Sequence, residues 1–132
     1  MRGISSRITR TLIPMSTLAC ADNSGAMIFK IINKIGKGHR HGRLAAAGLG
    51  DIVIASVIKG TPTYLKKPVR VIIIRQRAPI RRGSGMRVRF EDNAAILITD
   101  SDLPVATEVK GAMAREVIER YIKLAGIASR VV

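Results

Sequence analysis

The chain has 132 residues, about one domain, and 47% of them are hydrophobic, enough for a core without disulfide or metal staples. Lys and Arg total 23 against nine Asp and Glu, a formal charge of +14, and 15 of the basic residues are arginine. That balance argues against a merely solubilised surface and points to a polyanionic partner, because the arginine fork matches phosphate and so much like charge repels itself in a free monomer.

Residues 1–14 read as an extended basic arm with Arg2, Arg7 and Arg10, closed by Pro14. The stretch after these arginines imitates a signal peptide, but Pro14, Ser16 and Thr17 interrupt its apolar run. Residues 15–21 read as a short strand and Asp22-Asn23-Ser24-Gly25 as a turn. Residues 26–35 form the next expected strand, with Met27, Phe29, Ile31 and Ile35 on one face and Lys30 and Lys34 on the other. Residues 36–50 are Gly-rich and basic, then Ala-rich, and predict a long connection or protruding ribbon. Residues 51–59 are continuously apolar, as for a strand buried on both faces or a barrel strand covered from outside. A turn over 60–68 carries Pro62, Pro68 and the pair Lys66-Lys67. The strongest strand is 69–77, with four consecutive β-branched residues, Val71, Ile72, Ile73 and Ile74. After a basic turn over 79–85, residues 86–90 alternate, predicting Met86, Val88 and Phe90 inward with Arg87 and Arg89 outward. Glu91-Asp92-Asn93 turns the chain into a last strand over 94–99.

Strands at such short spacing predict a mainly β fold, a small antiparallel barrel or sandwich. Only the tail reads as helical: Ala114, Val117, Ile118, Tyr121, Ile122 and Ala125 recur at helical spacing, with Gly126 as a stop. The expected organisation is one domain, with an arm over 1–14, a barrel with basic loops over 15–104 and a helical region over 105–132.

Catalytic chemistry finds little support. His39 and His41 lie two residues apart among cations, far from the lone Cys20, and match no zinc spacing. Neither Gly36-Lys37-Gly38 nor Gly83-Ser84-Gly85 fits a nucleotide-phosphate loop. The close acidic pairs, Glu91-Asp92 and Asp100 with Asp102, sit in turns, where such residues are ordinarily structural. A non-enzyme with no cofactor and no metal is expected. The single cysteine fits a reducing, intracellular setting, and the apolar runs are too short for a membrane span.

Candidate RNA contacts are Lys37, His39, Arg40 and Arg43 in one loop, Lys66 and Lys67 in another, Arg75 and Arg77 ending a strand, Arg81 and Arg82 in the next turn, and Arg87 and Arg89 on one strand face. Together they predict a basic rim on a rigid barrel. Charge is lopsided: residues 1–90 hold 18 basic and two acidic side chains, whereas residues 91–132 hold five and seven, suiting a protein neighbour or solvent. Phe29, Tyr64, Phe90 and Tyr121 are too few to stack single-stranded bases, which favours folded RNA gripped through phosphate and shape.

Four segments resemble one family. They are Ala21-Asp22-Asn23-Ser24-Gly25-Ala26; Ala46-Ala47-Gly48-Leu49-Gly50-Asp51-Ile52; Val71-Ile72-Ile73-Ile74-Arg75-Gln76-Arg77, with Ser84-Gly85, Phe90, Asn93, Ile96 and Leu97 after it; and Thr107-Glu108-Val109-Lys110-Gly111-Ala112 with Glu116. In order and spacing these are similar to the universal large-subunit ribosomal protein L-fourteen family, archaeal and eukaryotic type. Val71 stands where the family usually has Gly or Ala, and Ile96 where it has Val. Gly111-Ala112 stands where Gly-Pro is common, a proline that would preset a first helical turn. The resemblance implies a five-stranded antiparallel barrel with short C-terminal helices, bound to large-subunit ribosomal RNA in the cytoplasm. It further implies neighbouring ribosomal proteins, small-subunit RNA at an intersubunit bridge and an anti-association factor as partners, the protein-facing side lying around Thr107, Lys110 and Arg115. The alternative is a free translation or nucleoid-associated barrel that binds RNA or DNA transiently.

Overall fold

A computed structural model describes residues 5–36 and 44–132. In chain order the elements are β1 (Arg7–Ile8), β2 (Thr17–Cys20), β3 (Ala26–Lys34), β4 (Ile52–Gly60), β5 (Pro68–Arg75), β6 (Ile80–Arg81), β7 (Arg87–Val88), β8 (Ala94–Ile98), β9 (Val109–Met113), α1 (Arg115–Arg120), a 3-10 turn (Ile122–Leu124) and β10 (Ala128–Val131).

Strands β2, β3, β4, β5 and β8 close into the expected barrel. Its seams are antiparallel until closure, where β2 meets β8 in parallel, Ala19 opposite Ala94 and Cys20 opposite Ala95. Leu18, Phe29, Ile31, Val53, Ala55, Val57, Val71, Ile73, Ala95 and Leu97 fill the interior. The four consecutive β-branched residues of β5, Val71 to Ile74, are all 0% exposed, yet strand alternation sends only Val71 and Ile73 inward. Ile72 and Ile74 point outward with Ile96 and Ile98 of β8, into a second apolar cluster completed by Val109, Met113, Val117 and Leu124. The tail is therefore the outer cover of the barrel wall.

That cover is not simply helical. α1 and the 3-10 turn lie between two strands, β9 and β10, which pair in parallel. Gly111 and Ala112 belong to β9 rather than to a helix start, which comes at Arg115 after Ala114 in extended conformation. Helical spacing is real over the short stretch of α1, but beyond it Ile122 and Ala125 are exposed and Leu124 is the residue that packs on the wall.

Alternation also misleads within β3. Phe29 and Ile31 are buried as expected, but Met27 and Ile35 are exposed, because register shifts occur between Ala26 and Ile28 and between Ile31 and Asn33. In β4, Val53, Ala55 and Val57 face the core while Ile58 is exposed, so double-sided burial belongs to β5 and β8 instead. The 86–90 segment contributes no barrel strand. Its β7 pairs with β6, and β6 with β1, in a separate ribbon. Val88 and Phe90 pack beneath the tail, while Met86 is exposed at the hairpin.

Truncating Ile72 to alanine, on the outer wall, is expected to cost about 2–5 kcal/mol, the same range as Ile73→Ala inside the barrel. Ile58→Ala, on the open part of the wall, should stay within about 0.5 kcal/mol. Urea denaturation checks this; a harmless Ile72→Ala would mean that the tail does not cover the wall.

Candidate nucleic-acid interface

Scarce acidic side chains decide which cations remain free. Asp51 is buried and accepts the Gly48 N–H at 3.0 Å. Around it stand Lys34 at 2.8 Å, Arg120 at 3.5 Å and Arg10 at 3.7 Å, joining β3, α1 and the arm. Asp22 takes the Leu97 N–H at 2.7 Å and the Ser24 N–H at 3.0 Å, so it fastens the turn after β2 to β8 beside the parallel seam. It also accepts the Cys20 thiol at 3.0 Å. Burial first, and Asp22 second, push that thiol up to about 12, so it stays protonated and a poor nucleophile at neutral pH.

Two arginines expected at RNA are spent within the protein. Arg75 forks onto Asp92 at 3.0 and 3.2 Å, and its Nη1 donates to the Lys110 and Ala112 carbonyls at 3.0 and 2.9 Å. Gly111, at φ +81, leaves that path open: a Cβ there would come within 2.6 Å of Arg75 Nη1. Arg82 forks onto Glu116 at 2.8 and 3.3 Å and donates to the Val132 carbonyl at 2.6 Å. Arg75 thereby holds the tail on β5, and Arg82 holds it on the ribbon.

The remaining candidates divide between the two ends of the barrel instead of sharing one rim. Lys66 and Lys67 are exposed in the β4–β5 turn. The ribbon β1–β6–β7 follows the other end of β5, about 25 Å away at roughly 3.3 Å per residue over eight residues. There Arg81, Arg87 and Arg89 are exposed, as is Arg77, which donates Nε to the Glu91 carbonyl at 2.7 Å. The ribbon also brings in Arg7, a residue of the arm that sequence reasoning left out of the interface. It stands opposite Arg81, which stands opposite Arg87, so three arginines form a row across one face. Only pairing of the arm with β6 reveals this, and two-residue strands leave no periodic signal.

β3 ends and β4 begins at the ribbon end of the barrel, where Val53 lies opposite both Lys34 and Val71. Lys37, His39, Arg40 and Arg43, expected between these strands, lie outside the described residues. Thr107, Lys110 and Arg115 are exposed. Thr107 is tied to Asn23, its Oγ1 accepting the Asn23 amide at 3.0 Å and its N–H donating to Asn23 Oδ1 at 3.2 Å.

The family model described as ribosomal protein L14p/L23e matches residues 11–132. The chain belongs to this family. It is 46% identical, over the full length of both chains, to a "Large ribosomal subunit protein uL14" of Methanocella arvoryzae. It is likewise 46% identical to one of Halobacterium salinarum and 44% to one of Halorubrum lacusprofundi, again over both whole chains. This is a family of structural ribosomal proteins, not a class of enzymes. The motifs that carry the likeness prove architectural here: Asp22, Asp51, Arg75, Gln76 and Glu116 all make internal bonds.

Burial by itself would raise the Glu116 carboxyl, but hydrogen bonds from Arg82, from its own backbone and from Ser6 outweigh it and hold the group below the ordinary glutamate range. The native state then binds fewer protons than the unfolded chain near that range, so acid favours unfolding. The Arg82–Glu116 contribution should be complete above a pH of about 4.3 and fade as pH falls through the lower native value. Glu116→Gln is expected to cost about 1–3 kcal/mol at pH 7 and almost nothing in strong acid. Thermal melts of both proteins across acidic pH check this; a pH-independent difference would rule out the ionised clamp.

Proposed function

We propose that the chain is a built-in component of the large subunit of cytoplasmic ribosomes, holding ribosomal RNA through the ribbon end of the barrel. The observation that carries this is the row of Arg7, Arg81 and Arg87. Like charges directly opposite one another weaken a sheet, and phosphate between them relieves that penalty. Arg77, Arg89 and the loop basics Lys37, His39, Arg40 and Arg43 extend the surface, while Lys66 and Lys67 meet RNA at the far end. Arg75 and Arg82 serve by fixing the tail. Around Thr107, Lys110 and Arg115 the surface meets neighbouring ribosomal proteins, small-subunit RNA at an intersubunit bridge and an anti-association factor. Family membership and the near-neutral charge of residues 91–132 support that second face.

Double reversal Arg81→Glu/Arg87→Glu should leave the melting temperature within a few degrees yet deplete the chain from large subunits in sedimented cell extract. Reversal at Arg75 or Arg82 should instead unfold the tail. Lys110→Glu/Arg115→Glu should enter large subunits normally and reduce subunit joining. If the wild-type chain ran mainly in the soluble pool, or left the particle at moderate salt, a transient RNA- or DNA-binding factor would replace this reading.

A further inference from the structure

Residues opposite one another across a sheet point the same way, so the ribbon has two distinct faces. Ile8, Ile80 and Val88 make one row and belong to the apolar cluster beneath the tail. Arg7, Arg81 and Arg87 make the other, at the spacing of adjacent strands, roughly 4.8 Å. All three are exposed, and none has a carboxylate partner among the described residues. The row contains no aromatic side chain, so it offers phosphate contact rather than base stacking.

Arg7 is the weakest rung by construction. Its strand has two residues and pairs with an arginine facing an arginine. Beside the Arg10–Asp51 ion pair and the Ser6–Glu116 hydrogen bond, two uncharged residues seat the arm. A Cβ on Gly48 would come within 3.0 Å of Ile8 Cγ2 and 3.2 Å of Arg10 Cγ and the Thr9 carbonyl oxygen, so a side chain there would push the arm outward by a few tenths of an ångström. Gln76, 1% exposed, donates its amide to that same Thr9 carbonyl at 3.0 Å and accepts the Leu49 N–H at 2.9 Å.

We propose that Arg7, Arg81 and Arg87 form a phosphate ladder that grips consecutive phosphates along one strand of RNA, with Gly48 and Gln76 as the positioning residues that set the Arg7 rung. This rests on the RNA-binding reading above and adds its geometry. Phosphate across the rungs cancels the repulsion between the strands, so occupancy tightens the arm and a docked arm raises affinity, two sides of one linkage.

The test uses the full chain with a 12-nucleotide oligouridylate, reading affinity against salt. Arg7→Gln, Arg81→Gln and Arg87→Gln should each flatten the log–log slope by about 0.7, and the triple variant by about 2. Arg130→Gln, at an exposed position away from the row, should also lose about 0.7 only if charge anywhere counts, and is expected to change nothing. Gly48→Ala should reproduce the Arg7→Gln flattening with every charge present, and combining the two should add nothing further. Independently of any Gly48 variant, hydrogen exchange of residues 7–10 should slow on adding oligouridylate, and should not slow in Arg81→Gln/Arg87→Gln. A triple variant with the wild-type slope overturns the ladder while leaving RNA binding intact. Additive losses for Gly48→Ala and Arg7→Gln overturn the positioning role. A wild-type chain that binds no RNA overturns the broader reading and the ladder with it.

Discussion

The structure turns on a barrel wall that is apolar on both sides. Along β5 and β8 every residue from Val71 to Ile74 and from Ala94 to Ile98 is buried. Each outward isoleucine is worth about 1.5–3 kcal/mol when covered. A bare barrel would leave that surface to water, so the tail and the ribbon are obligatory parts of the fold. Both are made of pieces too short to stand alone, a six-residue helix and strands of two to five residues. They hold because they share one apolar cluster with the wall and because Arg75 and Arg82 fasten them at their edges.

Electrostatics follows from the same economy. Nine acidic residues cannot balance 23 basic ones, and several of the nine are used where one carboxylate joins distant segments. Asp51 gathers the arm, β3 and α1; Glu116 gathers the ribbon hairpin through Arg82 and the arm through Ser6. Such groups, once buried, need partners, and the loss of one partner is costly. Three of the nine carboxylates, Asp22, Asp51 and Glu116, are buried in such joints, and no ion pair among the described residues reaches Arg7, Arg81 or Arg87, so the ribbon's outer face keeps arginines without counter-charges.

Much of this was legible in the chain. The barrel strands announced themselves through β-branched runs and turn residues, and arginine excess pointed toward the polyanion partner proposed above. What was hidden depended on contacts distant in sequence. Nothing near Arg75 or Arg82 distinguishes them from Arg77 or Arg81, since Asp92, Gly111 and Glu116 select them across the fold. Arg7 looked like part of an unpaired arm because its partner strand is two residues long. The tail's strands were masked by apolar spacing that suits a helix equally well, and the bulges of β3 shifted Met27 and Ile35 out of a pattern that was sound at Phe29 and Ile31.

The parallel seam has a consequence for how the protein comes into being. Closing the barrel requires β2 to find β8 across most of the chain, and the fastening from Asp22 to Leu97 spans 75 positions. A nascent polypeptide emerging in order therefore presents β2 to β5 as an open sheet, with the oily outer side of β5 bare, well before β8 and the covering tail are synthesised. Non-local closure of this kind is slow, and an unpaired, apolar edge is prone to self-association meanwhile. A newly made chain therefore carries a bare apolar wall until β8 and the tail that roofs it have followed.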